Sequence, residues 1–358
     1  MSTMMIMAGG TGGHVYPALA VAHALKGDGV NVFWLGTREG IEARLVPENN
    51  IDIEWISISG IKGKGIFALV TAPFKLLYAM MQTAAVIYRR RPEAALGMGG
   101  FVSGPGGLMV RLLRVPLVIH EANAVVGLTN KWLAKIANQV LVGFPDVLQE
   151  NRRQTYVGNP VRESIAAIEA PQNRLQGRTG QVNLLVVGGS LGAQSLNETV
   201  PLAIDLLQAE LRPVIRHQAG RGKLSSTEEA YSALSIHAQC SEFIDDMAGA
   251  YEWADIVICR AGAMTVAEIA AAGVAAVFVP YPYAIYDHQT LNARFLTDSG
   301  AALMIDQASL TDASLAGILG ELCSNRKQIL ELSVRARGCA ITDATNRVAD
   351  ICEEVMHA

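Results

Sequence analysis

Residues 260–292 read RAGAMTVAEIAAAGVAAVFVPYPYAIYDHQTLN, a run whose residue types suit a ligand carrying a diphosphate and a ribose. Gly262 and Ala263 let a backbone approach phosphate oxygens, and Thr265 can cap the helix that the spacing predicts over about Met264 to Ala272. The first turn of such a helix offers unpaired N–H groups and the positive end of the macrodipole, and both favour a diphosphate. Glu268 stands one turn further on. Residues three and four apart share a helix face, so its carboxylate can take the paired hydroxyls of a ribose on the same ligand. A nucleotide sugar fits that order of groups, although a packed helix with one solvated glutamate has the same spacing. A buried strand near Ala275 to Val279 and a polar loop carrying Asp287, His288 and Gln289 complete the stretch.

Three glycine-rich turns extend the argument: Gly9 to His14, Gly97 to Gly104 and Gly188 to Ala193. Glycine permits positive φ and exposes N–H groups to phosphate oxygens, and three such turns in one chain point to a phosphorylated ligand. None is a true G-x-G-x-x-G, because Val15 stands where the last glycine would fall, and Gly36-Thr37-Arg38 lack the acid that holds an NAD ribose. That excludes a nicotinamide dehydrogenase. The missing G-x-x-x-x-G-K-[ST] excludes a P-loop NTPase. His14 closes the first turn at the mouth of a helix, whose N-terminus lowers a histidine's pKa and keeps the ring neutral. It is either a general base for a sugar hydroxyl attacking an anomeric carbon or a ring that hydrogen-bonds its own turn. Glu121, in the run His120-Glu121-Ala122-Asn123, and Asp287 rank behind it as bases.

The scaffold for these groups is built twice. Residues 4–25 and 183–207 each read as a short apolar strand, a glycine turn and an amphipathic helix. At 358 residues, with 51% apolar and 17% charged side chains, the chain has room for two globular domains. Further strands are expected at Val30–Leu35, Ile53–Ile56, Ala94–Met98, Leu117–Glu121 and Gln139–Val142. In the second half they are expected at Pro213–Gln218, Ile236–Gln239, Ile256–Cys259, Ala275–Val279 and Ala302–Ile305. Continuous apolar strands alternating with helices imply an α/β fold with two Rossmann-like parallel-sheet domains, and the cleft they face each other across is the default site.

Charge is distributed unevenly. Residues 1–161 hold 15 Lys+Arg against 10 Asp+Glu, whereas residues 162–358 hold 14 against 23. Between Lys62 and Lys135 there are 10 basic and 2 acidic residues. Within that block Val70, Phe74, Leu77 and Met81 recur at helical spacing, flanked by Lys62, Lys64, Lys75 and Arg89-Arg90-Arg91. The face is either core or an amphipathic surface for an anionic membrane. With few aromatics and no base-reading motif, nucleic acid is not an expected partner. No stretch of eighteen apolar residues is free of charged or turn residues, so none is expected to span a bilayer, and the N-terminus lacks a basic leader region. Five cysteines without a C-x-x-C pair suit a reducing compartment. No D-x-D-type carboxylate pair calls for a divalent ion, so neither metal nor cofactor is expected.

Together GGTGGH, GMGGFVSGPGG, HEANAVVGLTNKWLAKIA, GNPVR, VVGGSLGAQSLN, RAGAMTVAEIAAAG and DHQTLNA, in this order and nearly end to end, resemble the MurG family of peptidoglycan glycosyltransferases. The resemblance implies the GT-B fold and transfer of N-acetylglucosamine from UDP-GlcNAc to the 4-hydroxyl of the muramyl sugar of lipid I, giving lipid II with inversion. It implies a peripheral enzyme on the cytoplasmic face of the bacterial inner membrane. Residues 1–161, joined by a returning C-terminal segment of about 343–358, would bind acceptor and membrane, and residues 162–342 the donor.

Carried onto this sequence, the resemblance implies that Phe243 and Ile244 hold the uracil and Glu268 the ribose. Ser190, Ala263, Met264 and Thr265 would meet the diphosphate or sugar, with Arg162 near the nucleotide. Asn123, Gln289 and Asn292 would reach sugar hydroxyls, and Thr11, Gly12 and Gly13 would line the donor side of the first glycine turn. Gly10, Gly99, Gly100, Ser103, Gly104 and Glu121 would serve the acceptor diphosphate. At His288-Gln289 the sequence departs from the paired glutamines of some members, which leaves His288 without a carried-over role. A diacylglycerol glycosyltransferase, a UDP-GlcNAc 2-epimerase and a non-catalytic scaffold are the rival readings.

Overall fold

The computed structural model describes residues 2–58, 65–145, 147–148 and 154–358, with the side chains of residues 65–70 and of Ile285 left aside. Lys62, Lys64 and the side chain of Val70 therefore lie outside the described residues. The chain forms two compact units, Met1–Arg162 with Ile341–Ala358, and Glu163–Ala340. The first boundary falls one residue later than the sequence suggested, so Arg162 belongs to the first unit.

The first unit carries a seven-stranded parallel sheet: β1 (Thr3–Ala8), β2 (Asn31–Gly36), β3 (Asp52–Trp55), β4 (Ala94–Gly99), β5 (Leu117–Glu121), β6 (Gln139–Val142) and β7 (Gln154–Tyr156), in the order 3-2-1-4-5-6-7. Successive side chains of a strand point to opposite faces. Met4, Ile6 and Ala8 accordingly join one apolar cluster, and Met5 and Met7 join another on the far side. Both faces are covered by helices, which is why β1 needs an unbroken apolar run. The last helix, Ala344–His357, returns to the first of these clusters, where Val348, Ala349 and Cys352 pack with Val15, Leu19 and Ala22 of helix Gly12–Gly27. The strand β7 was not expected, because Gln-Thr-Tyr has no apolar run to announce it.

The second unit repeats the plan with β8 (Asn183–Val187), β9 (Val214–Gln218), β10 (Ala238–Ser241), β11 (Ile256–Cys259), β12 (Ala275–Phe278) and β13 (Leu303–Met304), in the order 10-9-8-11-12-13. In each sheet the strand order reverses between the first strand of the unit and the fourth. A crevice opens there outside the carboxyl ends of the strands. One buried side chain holds the end of a helix: the Arg174 guanidinium donates to the carbonyls of Ala272 (3.3 Å) and Gly273 (2.6 Å), at the C-terminal end of helix Ala263–Ala272. Burial pulls its pKa down to about 10, so the cation that complements the helix dipole persists at neutral pH.

Candidate active site

At the first switch point the turn after β1 meets the turn after β4. The backbone of Gly100, at φ +84°, lies so near Gly9 that a Cβ there would come within 2.2 Å of the Gly9 carbonyl oxygen. A Cβ on Gly99 would come within 2.6 Å of His14 Cδ2, so the imidazole lies close against the second turn. His14 opens helix Gly12–Gly27, and Thr11 Oγ1 lies 3.4 Å from its Nδ1. Desolvation lowers the His14 pKa below its usual value, against the opposing pull of Glu121, the Gly9 carbonyl and Glu42. The ring is half-buried and neutral at pH 7, able to accept a proton. Thr11 and Gly13 are exposed beside it, and Gly12 packs on the Tyr16 ring, over which the Arg162 guanidinium stacks at 5.5 Å.

Several residues expected at the acceptor have polar groups turned inward. The N–H of Gly10 donates to Glu42 Oε2 at 3.0 Å, and the N–H of Gly99 donates to Ser103 Oγ at 3.2 Å. The Ser103 hydroxyl, fully buried, is within hydrogen-bond reach of the Met7 (3.0 Å) and Gly99 (2.9 Å) carbonyls. The buried carboxylate of Glu121 accepts from Asn123 N (3.0 Å), Asn123 Nδ2 (3.2 Å), Gly127 N (3.0 Å) and Asn130 Nδ2 (2.9 Å). These groups shape the turns, and Glu121 is set to order its loop while placing negative charge near His14. Gly104 remains in ordinary contact with Thr129.

Sequence reasoning missed Glu42. Its carboxylate is fully buried and accepts from Gly10 N (3.0 Å), Thr37 N (3.1 Å) and Thr37 Oγ1 (2.7 Å). It thereby ties the turn after β1 to the turn after β2. Nothing in the local pattern of residues 39–48 separates this acid from a solvated one.

In the second unit helix Ala263–Ala272 starts one residue before its expected boundary, with Gly262 at the N-cap and no side-chain cap. Thr265 therefore does not cap; it lies in the first turn, its Oγ1 3.6 Å from where a Gly262 Cβ would stand. The first N–H groups, those of Ala263, Met264 and Thr265, have no partner within the helix. Glu268 follows on the same helix, oriented by the Tyr251 hydroxyl, which donates to its Oε2 at 3.1 Å. Phe243, exposed, and Ile244, half-buried, follow β10 at the same carboxyl edge of the sheet. Ser190, exposed, follows β8.

Asp287, His288 and Gln289 were expected in a loop, but His288 and Gln289 open helix His288–Thr297. Tyr286 and Asp287 before it take left-handed conformations, φ 57° and 52°, which non-glycine residues seldom adopt. Gln289 Oε1 accepts from Tyr281 N at 2.9 Å, and the buried Asn292 Nδ2 donates to the Ala261 carbonyl at 3.2 Å. Asn292 thus pins the backbone just before the open helix.

Gln218 and Arg260 were also missed. At the end of β9, Gln218 accepts from Gly189 N (2.9 Å) and donates to the Gly189 (2.9 Å) and Glu242 (2.8 Å) carbonyls, spanning two turns. Arg260 donates to the Val279 carbonyl (3.0 Å), Ser195 Oγ (3.0 Å) and Gln307 Oε1 (2.6 Å), bracing the strand end that carries Gly262.

Behind Gln218 lies His217, fully buried, with Nδ1 2.9 Å from the Tyr231 hydroxyl and Nε2 3.1 Å from Asn197 Oδ1. Since that amide oxygen only accepts, Nε2 carries the proton and Nδ1 accepts from the tyrosine. Burial lowers the His217 pKa to about 4. An unfolded histidine takes its proton first, near pH 6.5, so this contribution to stability is complete above pH 6.5. It is lost as pH falls toward 4, at about 1.4 kcal/mol per pH unit. Urea melts between pH 7 and 4.5 are expected to show stability falling more steeply in the wild type than in His217→Gln, by up to this amount. The slopes from the desolvated His14 and His120 are common to both. The same slope in both would assign it to another group.

Residues 4–142 match the model of the glycosyltransferase family 28 N-terminal domain, and residues 183–355 match that of its C-terminal domain. A Dechloromonas aromatica protein is 50% identical over 353 residues, covering 99% of both chains. One from Cupriavidus necator is 51% identical over 99% of this chain and 98% of its own. Both bear the name UDP-N-acetylglucosamine–N-acetylmuramyl-(pentapeptide) pyrophosphoryl-undecaprenol N-acetylglucosamine transferase. Among solved structures, Acinetobacter baumannii MurG superposes with a TM-score of 0.84 at 41% identity, covering 99% of this chain and 100% of that one.

Proposed function

The chain belongs to glycosyltransferase family 28, and on that premise we propose that it moves N-acetylglucosamine from UDP-N-acetylglucosamine to the 4-hydroxyl of N-acetylmuramyl-(pentapeptide) pyrophosphoryl-undecaprenol, lipid I, forming lipid II. The observation that carries this reading is identity of about half the residues, along nearly the whole chain, with relatives that bear the name of that reaction.

The local geometry supports a division of labour. The second unit holds the donor, with the diphosphate on the N–H groups of Ala263, Met264 and Thr265, the ribose on Glu268, and the uracil beside Phe243 and Ile244. Ser190 and Gln289 are within the same ring of carboxyl-edge turns, and Asn292 holds that ring in place. The first unit presents the acceptor and His14. The acceptor oxygen forms a bond to the anomeric carbon and its proton passes to His14. The carbon–oxygen bond to UDP breaks with its electron pair going to the diphosphate. The attack comes from the side opposite the leaving group, so configuration inverts. The helix start meets the growing negative charge without reorganising.

The membrane-facing surface is assigned to helix Gly65–Arg90. Phe74 is 74% exposed, Leu77 56% and Met81 55%, while the opposite face, with Ala79, Thr83, Val86 and Ile87, enters the core. Phe74, Leu77 and Met81 of the apolar stripe seen in the sequence are therefore solvent-facing. Leu112 and Trp132, on neighbouring helices, are exposed as well, and Lys135 sits 4.6 Å from the Trp132 ring. Apolar side chains rimmed by lysines suit the anionic cytoplasmic face of the inner membrane. Among the described residues no helix is long and apolar enough to cross a membrane.

Incubation with UDP-GlcNAc labelled in the sugar, with and without a short-chain lipid I analogue, tests the assignment. Label is expected in a lipid-extractable product only when the analogue is present. Conversion of the nucleotide sugar without acceptor, or transfer to diacylglycerol instead, would overturn it.

A further inference from the structure

A cavity of about 350 Å³ opens in the first unit at the carboxyl ends of β2 and β3, against the exposed half of helix Gly65–Arg90. Thr37, Arg38, Glu39, Trp55, Ser57, Lys75 and Tyr78 line it. The Arg38 guanidinium stacks over the Trp55 ring at 5.0 Å, which orients its donors. Ser57 N donates to Gln82 Oε1 at 2.7 Å, fixing the wall that faces the helix. Two cations outnumber the single Glu39 carboxylate, and with two aromatic walls and hydroxyl groups they describe a site for a short chain bearing carboxylates.

Two features connect this cavity to the reaction. In the sheet β3 lies two places from β1, so the cavity is about 10 Å from the turn that carries His14, at ordinary strand spacing. An extended pentapeptide spans about 17 Å and covers that distance. The Glu42 carboxylate also accepts at once from Gly10 in the catalytic turn and from Thr37 in the cavity wall, making the two one rigid piece.

We propose that this cavity receives the peptide of the acceptor, Arg38 and Lys75 pairing with its carboxylates so that the muramyl sugar is registered against His14. The inference rests on the transferase reading above and adds a subsite for the acceptor's peptide.

The test measures transfer in detergent micelles by wild type and by Arg38→Ala/Lys75→Ala. One acceptor is a lipid-linked muramyl carrying the pentapeptide, and the other is the same molecule without the peptide. Both residues lie at the surface, and a thermal melt checks that the double variant is folded. The KM for the pentapeptide acceptor is expected to rise about tenfold or more. The donor KM and kcat should hold, and the two proteins should be alike on the peptide-free acceptor. Arg38→Lys/Lys75→Arg should recover most of the loss. Equal losses on both acceptors, no loss on either, or a loss seen only with anionic vesicles would overturn the peptide site. Failure of the wild type on both acceptors would instead remove the transferase reading, and the subsite with it.

Discussion

His14→Ala is expected to lower kcat by about 10² or more while the affinity for UDP-GlcNAc stays near that of the wild type. The imidazole lies against the Gly99 backbone at the first switch point, in the unit assigned to the acceptor, so its loss should leave the donor groups of the second unit untouched. Desolvation holds its pKa below the usual 6.5. The neutral form persists to lower pH than in a free histidine, and the acid limb of kcat/KM should fall below pH 6.5. The residual activity of His14→Ala should lack that limb. Stopped assays over pH 5–8 with acceptor saturating, beside calorimetric titration of the donor, provide both readouts. A variant with near-normal turnover would leave His14 as a residue that merely holds its turn.

Replacing Glu42 by alanine should cost the first unit about 4 kcal/mol. The amides of Gly10 and Thr37 lose a buried acceptor, and each orphaned donor costs about 1–3 kcal/mol before the vacated volume is counted. Activity should fall along with stability, because the freed Gly10 turn carries His14 and Thr37 lines the peptide cavity. Glu42→Gln keeps the volume but substitutes an N–H₂ for one accepting oxygen, so it should recover only part of the loss. Denaturant melts of the three proteins decide this. A midpoint for Glu42→Ala that matches the wild type would show that the turns are held by other means.

The sequence by itself determined the double α/β plan, because an apolar run such as Met4 to Ala8 can be covered only by burying both faces of a sheet. The glycine turns and the helix after Gly262 followed from the same kind of local rule, since φ freedom and orphan N–H groups are properties of a few consecutive residues. Leu117–Glu121, Gln139–Val142 and Ile256–Cys259 fall on their expected strand limits for that reason, while Gln154–Tyr156, with no apolar pattern, did not announce itself. Tertiary structure alone decided which way each polar group turns. Ser103, Glu121 and Asn292 bear side chains that suit a ligand, yet all three are buried with partners of their own, among them Gly99, Asn130 and Ala261. Glu42 and Gln218 looked unremarkable and prove to bind the turns together. Periodicity tells a helix face from its back through spacing along one segment. The partner of a buried carboxylate is chosen across the sheet, by strands that become neighbours only when the chain has folded.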